Sequence, residues 1–188
     1  MDLIEKAIIF ATKAHSGQKR KLNNTDYILH PLEVAATIAS ITPKEETIVA
    51  GILHDTIEDT SATLGEIEEQ FGMEVAKLVL SETENKMRSE KQEDTWMIRK
   101  KDSLKILEET DLMDVKILWL ADKLSNLRSI HQTYLLIGDD LWQQFHQRDK
   151  SKHRWYYQSI LRDVKELENT AAYQEFLFLF NAIFGEEE

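Results

Sequence analysis

The stretch HDTIED at residues 54–59 gathers ionisable groups at a spacing that suits chemistry. His54 and Asp55 are neighbours near the end of an apolar helical pattern, about 100° apart around a helix, so both can lean towards one ion. Glu58 follows His54 by four positions and Asp59 follows Asp55 by four, so one further helical turn stacks both acids beside that pair. An imidazole and three carboxylates on adjoining faces repel one another unless a cation or a proton relieves them, and a bound metal is the simplest account. The alternative is a solvated acidic face. Asp122 is the second informative residue, because it interrupts the apolar run ILWLA and precedes KLSNL. A carboxylate in a core-facing helix must meet a metal, a basic side chain or water, since burial without a partner is costly. Asn126 and Ser129 follow at i+4 and i+7 on the same stripe, with hydrogen-bonding groups able to read a ligand.

These residues need helices to position them. Leu3, Ala7, Ile8, Ala11 and Ala14 predict an opening helix that ends near His15 and Gly17, followed by the polar loop GQKRKLNNTD. Pro31 suits the first turn of a second helix with the stripe Leu32, Ala35, Ala36 and Ile38, which puts His30 at its entrance. A third helix is expected from Pro43, carrying Ile48, Val49, Ile52 and Leu53 into the polar cluster. Thr63 with Glu66 matches a capping box, and Phe71–Gly72 offers a stop before Val75, Leu78 and Val79 resume the period. Residues 84–94 have almost no apolar content and read as an exposed loop, with a lid as the alternative, before a helix from about Thr95 to Glu109. Asp114 is a candidate cap for the helix VKILWLADKLSNLRSI, and two amphipathic helices, near Asp140–Leu167 and Thr170–Phe184, finish the chain. Trp119 is expected in the core. Trp142, Phe145, Trp155, Tyr156 and Tyr157 are expected to seal the bundle, although part of that set could form a homodimer face. His15 reads as a helix-terminal cation or a contact to the basic loop, and His131, His146 and His153 as surface or packing residues.

With 188 residues, 42% of them hydrophobic, the chain has material for one domain around one core. Only 6 Gly and 2 Pro leave little turn chemistry for a many-stranded sandwich or barrel, so the expected fold is an all-α bundle of roughly eight to ten helices. A formal charge of −11 argues against nucleic-acid coating and anionic membranes, so a polyanionic substrate needs a local basic patch. Lys19, Arg20, Lys21, Lys123 and Arg128 could supply one. Without cysteine, a metal would be held by His, Asp and Glu, and a reducing cytoplasm is compatible. No secretory signal is read, and no run approaches the about 18 apolar residues of a membrane span.

Four blocks, HSGQKRK at residues 15–21, YILHP at 27–31, GILHDTIEDT at 51–60 and LADKLSNLRS at 120–129, resemble the HD-domain phosphohydrolase superfamily. More narrowly, residues 1–130 are similar to the RelA/SpoT-type hydrolase domain and the stand-alone small alarmone hydrolases, with Phe71–Gly72 also in register. The resemblance implies an HD-type fold with a metal held by His30, His54, Asp55 and Asp122. It implies a catalytic pair at Glu58 and Asp59, and nucleotide contacts from Arg20, Lys21, Asn126 and Ser129. The implied reaction is hydrolysis of the 3′-pyrophosphate of ppGpp or pppGpp on Mn2+, giving GDP or GTP and pyrophosphate. Two imidazoles with two carboxylates suit Mn, Fe or Zn better than Mg or Ca, which prefer all-oxygen shells. Such an ion would lower the pKa of a water, while Glu58 and Asp59 could orient that water and pass its proton to the leaving 3′ oxygen.

Two departures stand beside the resemblance. The segment LNNTD, between Arg20–Lys21 and Tyr27, is longer than the family's and lacks its small-Gly-acid-Pro pattern, so the base-contacting loop is expected to sit differently. The segment SETENK, followed by TWMIRKK, only loosely resembles the long bacterial enzymes and is closer to the stand-alone group, and the helices after about residue 138, with no counterpart in the long enzymes, read as an extension of a single domain spanning 1–188. A synthetase domain is not expected in 188 residues, and neither is synthesis. The rival expectations are an HD-type phosphohydrolase of another nucleotide, such as an adenosine alarmone, NADPH or a nucleoside monophosphate, and a non-catalytic nucleotide-binding regulator.

Overall fold

The computed structural model describes residues 2–185 except 85 and 88. Asp2 caps the first helix, α1 (Leu3–Ala14), by accepting from Glu5 N at 2.8 Å, and Ala7 and Ala11 point its small apolar face inwards. The loop after it closes on itself through an isolated bridge between Lys19 and Asp26, with Asn24 at φ 56°, a left-handed conformation that Asn tolerates. Next come α2 (Leu29–Ala39), α3 (Glu45–Leu53) and the one-turn α4 (Thr56–Asp59). The short pair α5 (Leu64–Phe71) and α6 (Met73–Glu82) is divided at Gly72, whose φ of 91° suits glycine. The expected capping box is present: Thr63 N donates to Glu66 Oε2 at 2.8 Å, and Glu66 N donates to Thr63 Oγ1 at 3.3 Å.

The long helices α7 (Gln92–Glu109) and α8 (Met113–Ile137) follow, then a 3-10 segment (Gly138–Gln144), α9 (Lys150–Asp163), a second 3-10 turn (Lys165–Leu167) and α10 (Ala171–Phe184). The architecture is an all-α bundle. Its axle is α8, where Leu118, Leu120, Ala121, Leu124 and Leu127 are fully buried. This helix packs against α2, α3 and α6 and also against α9 and α10. The crossing of α2 and α3 is close because Gly51 carries no side chain: a Cβ there would meet Ile38 Cδ1 at 2.4 Å. Among the described residues no helix is long and apolar enough to cross a membrane.

Four boundaries differ from expectation. The third helix begins at Glu45 instead of Pro43, and α7 begins at Gln92, three residues before Thr95. Asp114 does not cap α8. It lies in the first turn and accepts from Lys44 Nζ at 2.7 Å and Thr47 Oγ1 at 2.8 Å, so its carboxylate ties α8 to the start of α3. The helix expected over 140–167 is broken, because Gly138 at φ 57° ends α8 and Asp149 starts a new helix by accepting from Ser151 N at 2.9 Å. The C-terminal aromatic rings turn inwards: Trp142, Tyr156 and Tyr157 are buried, and Trp142 stacks on Phe184 at 5.6 Å.

Candidate metal and nucleotide site

His30, from the first turn of α2, and His54, just past α3, bring their rings to 5.1 Å in an edge-to-face arrangement. His30 Nε2 lies 3.0 Å from Asp122 Oδ1 and 3.4 Å from Asp55 Oδ2. His54 Nε2 lies 3.0 Å from Asp55 Oδ2 and 3.5 Å from Asp122 Oδ1. His30, His54 and Asp122, from α2, the α3–α4 junction and α8, thus converge on one point, with Asp55 beside the two imidazoles. The helix expected to continue through residues 54–59 instead breaks at His54–Asp55 and resumes as α4, where Asp59 N donates to Asp55 O at 2.9 Å.

The other ring nitrogens decide what these donors can do. His54 Nδ1 lies 2.8 Å from the carbonyl of Gly51, which can only accept, so Nδ1 carries a proton and Nε2, which faces the two carboxylates, is the atom that would ligate a metal in place of its own proton. That buried Nε2 has no hydrogen-bond partner. Burial lowers the His54 pKa, but Asp55 and Asp122 more than offset this and hold it well above 6.5. Burial also opposes ionisation of Asp55, yet His54 and His30 bring its pKa well below the usual carboxylate value. For Asp122, Lys123 and the two imidazoles likewise outweigh burial. The cluster therefore calls for a positive charge at its centre, and His30, His54 and Asp122 form a group able to hold a metal. Two imidazoles and the Asp122 carboxylate suit a divalent transition metal, while Asp55, expected as a fourth ligand, lies beside the two imidazoles but outside this group.

Around this centre, Tyr27 donates to Asp55 Oδ2 at 2.7 Å, lies 3.2 Å from Asp59 Oδ2 and stacks on His15 at 4.8 Å. Burial and the two carboxylates raise its pKa out of the physiological range, so it stays a donor. His15 is buried and contacts the basic loop, with Nδ1 2.8 Å from Gln18 Oε1. Glu58 and Asp59 face the 84–94 stretch, where residues 85 and 88 lie outside the described residues. Lys86 Nζ is 3.2 Å from Glu58 Oε1 and hydrogen-bonded to Asp59, and Glu84 N donates to Glu58 Oε2 at 2.9 Å. Burial and Asp55 push the Glu58 pKa up, with Lys86 offsetting only part. Lys123, expected to offer free positive field, is instead sequestered between Asp122 and Glu82, and burial pushes the Glu82 carboxyl up to about 8.

Two cavities share the walls Lys100, Lys123, Asn126 and Tyr156. A polar one of about 160 Å3 is lined by His30, Asp55, Glu58 and Asp122, and its neighbour of about 250 Å3 by Arg20, Lys21, Ser129 and the rings of Trp96 and Phe145. Arg20 Nη2 donates to Asn126 Oδ1 at 3.0 Å and lies 3.4 Å from Ser129 Oγ, so three of the four candidate nucleotide residues touch directly. Lys21 stands 5.7 Å over the Phe145 ring. Arg128 does not join them, because Glu33 and Glu175 hold it on another face, and Lys19 pairs with exposed Asp26. His153 packs among Trp96, Trp142 and Phe145, as a packing residue would. Tyr27, Lys86, Glu82 and Ser125 went unnoticed as site residues in the sequence. Only the folded arrangement brings them to the site, and Tyr27 alone carried a signal, its place in the YILHP block.

The HD domain family model matches residues 7–149. The guanosine-3′,5′-bis(diphosphate) 3′-pyrophosphohydrolase of Aquifex aeolicus (strain VF5) is 41% identical over 127 residues, covering 68% of this chain and 18% of that protein. A GTP pyrophosphokinase of Myxococcus xanthus is 51% identical over 79 residues, covering 42% of this chain and 10% of that protein. The chain thus spans less than a fifth of the length of these curated relatives. Among solved structures, lmo0812 from Listeria monocytogenes EGD-e superposes with a TM-score of 0.72 at 34% identity, covering 84% of this chain and 99% of that one. The fold is also that of a metazoan ortholog of SpoT that hydrolyzes ppGpp, with a TM-score of 0.77 at 23% identity over 99% of this chain and 98% of the other. The family match takes in the whole His–Asp cluster and both cavities' α8 walls, and this chain belongs to the HD-domain family.

Proposed function

We propose that the chain hydrolyses the 3′-pyrophosphate of ppGpp or pppGpp, releasing pyrophosphate and GDP or GTP. The observation that carries the reading is the convergence of His30, His54, Asp55 and Asp122 at 3.0–3.5 Å beside a cavity that continues to Arg20, Asn126 and Ser129. In this reading the four converging residues hold Mn2+, which when bound supplies Lewis acidity and lowers the pKa of a water. Glu58, its pKa raised above the ordinary carboxylate value, is suited to accept a proton from the attacking water, with Asp59 beside it. The water oxygen bonds to phosphorus, the bond from phosphorus to the 3′ oxygen breaks, and that oxygen takes a proton passed by the acid pair. Arg20 and Lys21 bring positive charge to the nucleotide in a chain whose net charge is −11, and Asn126 and Ser129 offer hydrogen bonds to it.

Two names among the relatives point in opposite directions, hydrolase and pyrophosphokinase. Hydrolysis is favoured here because the buried imidazole–carboxylate cluster is the kind of site that activates water. We also take residues 1–188 as one folding unit in which the 138–188 extension packs on the 1–130 core, a reading supported by the Arg128–Glu175 contact and the burial of Trp142 and Phe176. The test is pyrophosphate release from ppGpp, pppGpp, ppApp and NADPH in parallel, using metal-stripped protein with and without Mn2+. Mn2+-dependent turnover of the guanosine compounds is expected. Turnover of another nucleotide alone would overturn the substrate, and tight nucleotide binding without turnover of any would favour the regulator.

A further inference from the structure

A line of polar groups leads from the metal cluster to the far face of α2. His30 Nδ1 lies 2.8 Å from Ser125 Oγ, and Ser125 Oγ donates to Glu33 Oε2 at 2.6 Å. The other Glu33 oxygen accepts from Arg128 Nη1 at 3.0 Å, and Arg128 is gripped on its other edge by Glu175 at 2.7 and 2.5 Å. Ser125 is fully buried and His30 nearly so, so water does not compete for the contact between them.

A hydroxyl has one proton to give. With that proton directed to Glu33, Ser125 can only accept from His30, so the imidazole keeps its proton on Nδ1 and its lone pair on Nε2, the atom 3.0 Å from Asp122. Were the Glu33 carboxylate removed, the hydroxyl could turn and donate to Nδ1. The imidazole would then carry its proton on Nε2, where it blocks ligation. His54 gains the same tautomer more simply, from a backbone carbonyl that cannot switch roles.

We propose that Glu33, acting through Ser125, is a positioning residue for the metal centre that fixes the ligating tautomer of His30. The inference rests on the reading of His30 as a metal ligand.

Mn2+ binding to the metal-stripped full chain, followed by calorimetry, tests it, with the melting temperature of each metal-free variant measured alongside. Glu33→Ala is expected to weaken Mn2+ binding about 10- to 100-fold, and Ser125→Ala to do the same, whereas Ser125→Thr keeps the hydroxyl and binds as the wild type does. Glu175→Ala is the control for a merely structural role: it also strips Arg128 of a partner but leaves the Glu33–Ser125–His30 line whole, so it should bind Mn2+ normally. Glu33 is only half-buried, so Glu33→Ala decides the matter even if Ser125→Ala fails to fold. Wild-type affinity in Glu33→Ala, or an equal loss in Glu175→Ala, would overturn the inference and leave the metal reading standing. A wild-type chain that binds no Mn2+ would overturn both.

Discussion

The Asp122 carboxylate faces both imidazoles with one oxygen and Lys123 with the other, while Asn126 donates to it at 2.9 Å. Truncation by Asp122→Ala therefore removes a metal-facing oxygen and leaves Lys123 with Glu82 alone. Bound Mn2+ and turnover are expected to disappear together, as read by elemental analysis of the dialysed protein and by pyrophosphate release. Stoichiometric metal in that variant would show that Asp122 is not a ligand. Glu58→Ala separates the two properties: it leaves the four converging donors in place, so metal should stay while turnover falls about 10²- to 10⁴-fold. At this scale the site was legible where chemistry-bearing types crowd together in sequence, as at residues 54–59, or break an apolar run, as Asp122 does. Ser125, Glu33 and Lys86 were not legible, because a serine, a half-exposed glutamate and a loop lysine acquire their roles only from partners 92, 95 and 27 positions away.

The His54 ring is only as well placed as the crossing of α2 and α3 that carries it. Gly51 lets the two helices approach and lends its carbonyl to His54 Nδ1 at 2.8 Å. Gly51→Val would drive its side chain into Ile38 and Val34, and is expected to destabilise the fold by about 1–3 kcal/mol, measured by urea titration. Unchanged stability would mean that the crossing has slack. The elements themselves followed from apolar period and caps where those signals are strong: α1, α2, the boxed α5 and the apolar α8 lie close to where the sequence puts them. The misplaced boundaries fall where a local signal had two readings. Asp114 has the side chain of a cap but finds Lys44 and Thr47 instead, and the polar segment before Asp149 reads as helix until Gly138 and Asp149 are seen to terminate and restart it.

One buried histidine ties α9 to α7. His153 of α9 packs against Trp96 of α7 and against Trp142 and Phe145 of the 3-10 segment and its end, with Nε2 2.8 Å from the carbonyl of Gln147. Burial lowers its pKa below 6.5, with the Gln147 carbonyl offsetting part of the shift, so the folded state favours the neutral ring. Above pH 6.5 both folded and unfolded chains carry it neutral and nothing is lost. As pH falls below 6.5 the unfolded chain takes up the proton first, and stability declines until the folded ring also titrates. In His153→Phe this component is absent while the aromatic packing is largely kept. The stability of the wild type relative to His153→Phe should therefore fall between pH 7.5 and pH 5.5, as read from urea titrations of the metal-free proteins. A constant difference across that range would mean that His153 titrates alike in both states. The same seam forms the aromatic wall of the larger cavity, which Trp96, Phe145, His153, Tyr156 and Tyr157 share with Arg20 and Asn126. If the proposed nucleotide occupies that cavity, acid that loosens α9 from α7 should therefore also weaken its binding, through the aromatic wall and not through the charge of the nucleotide.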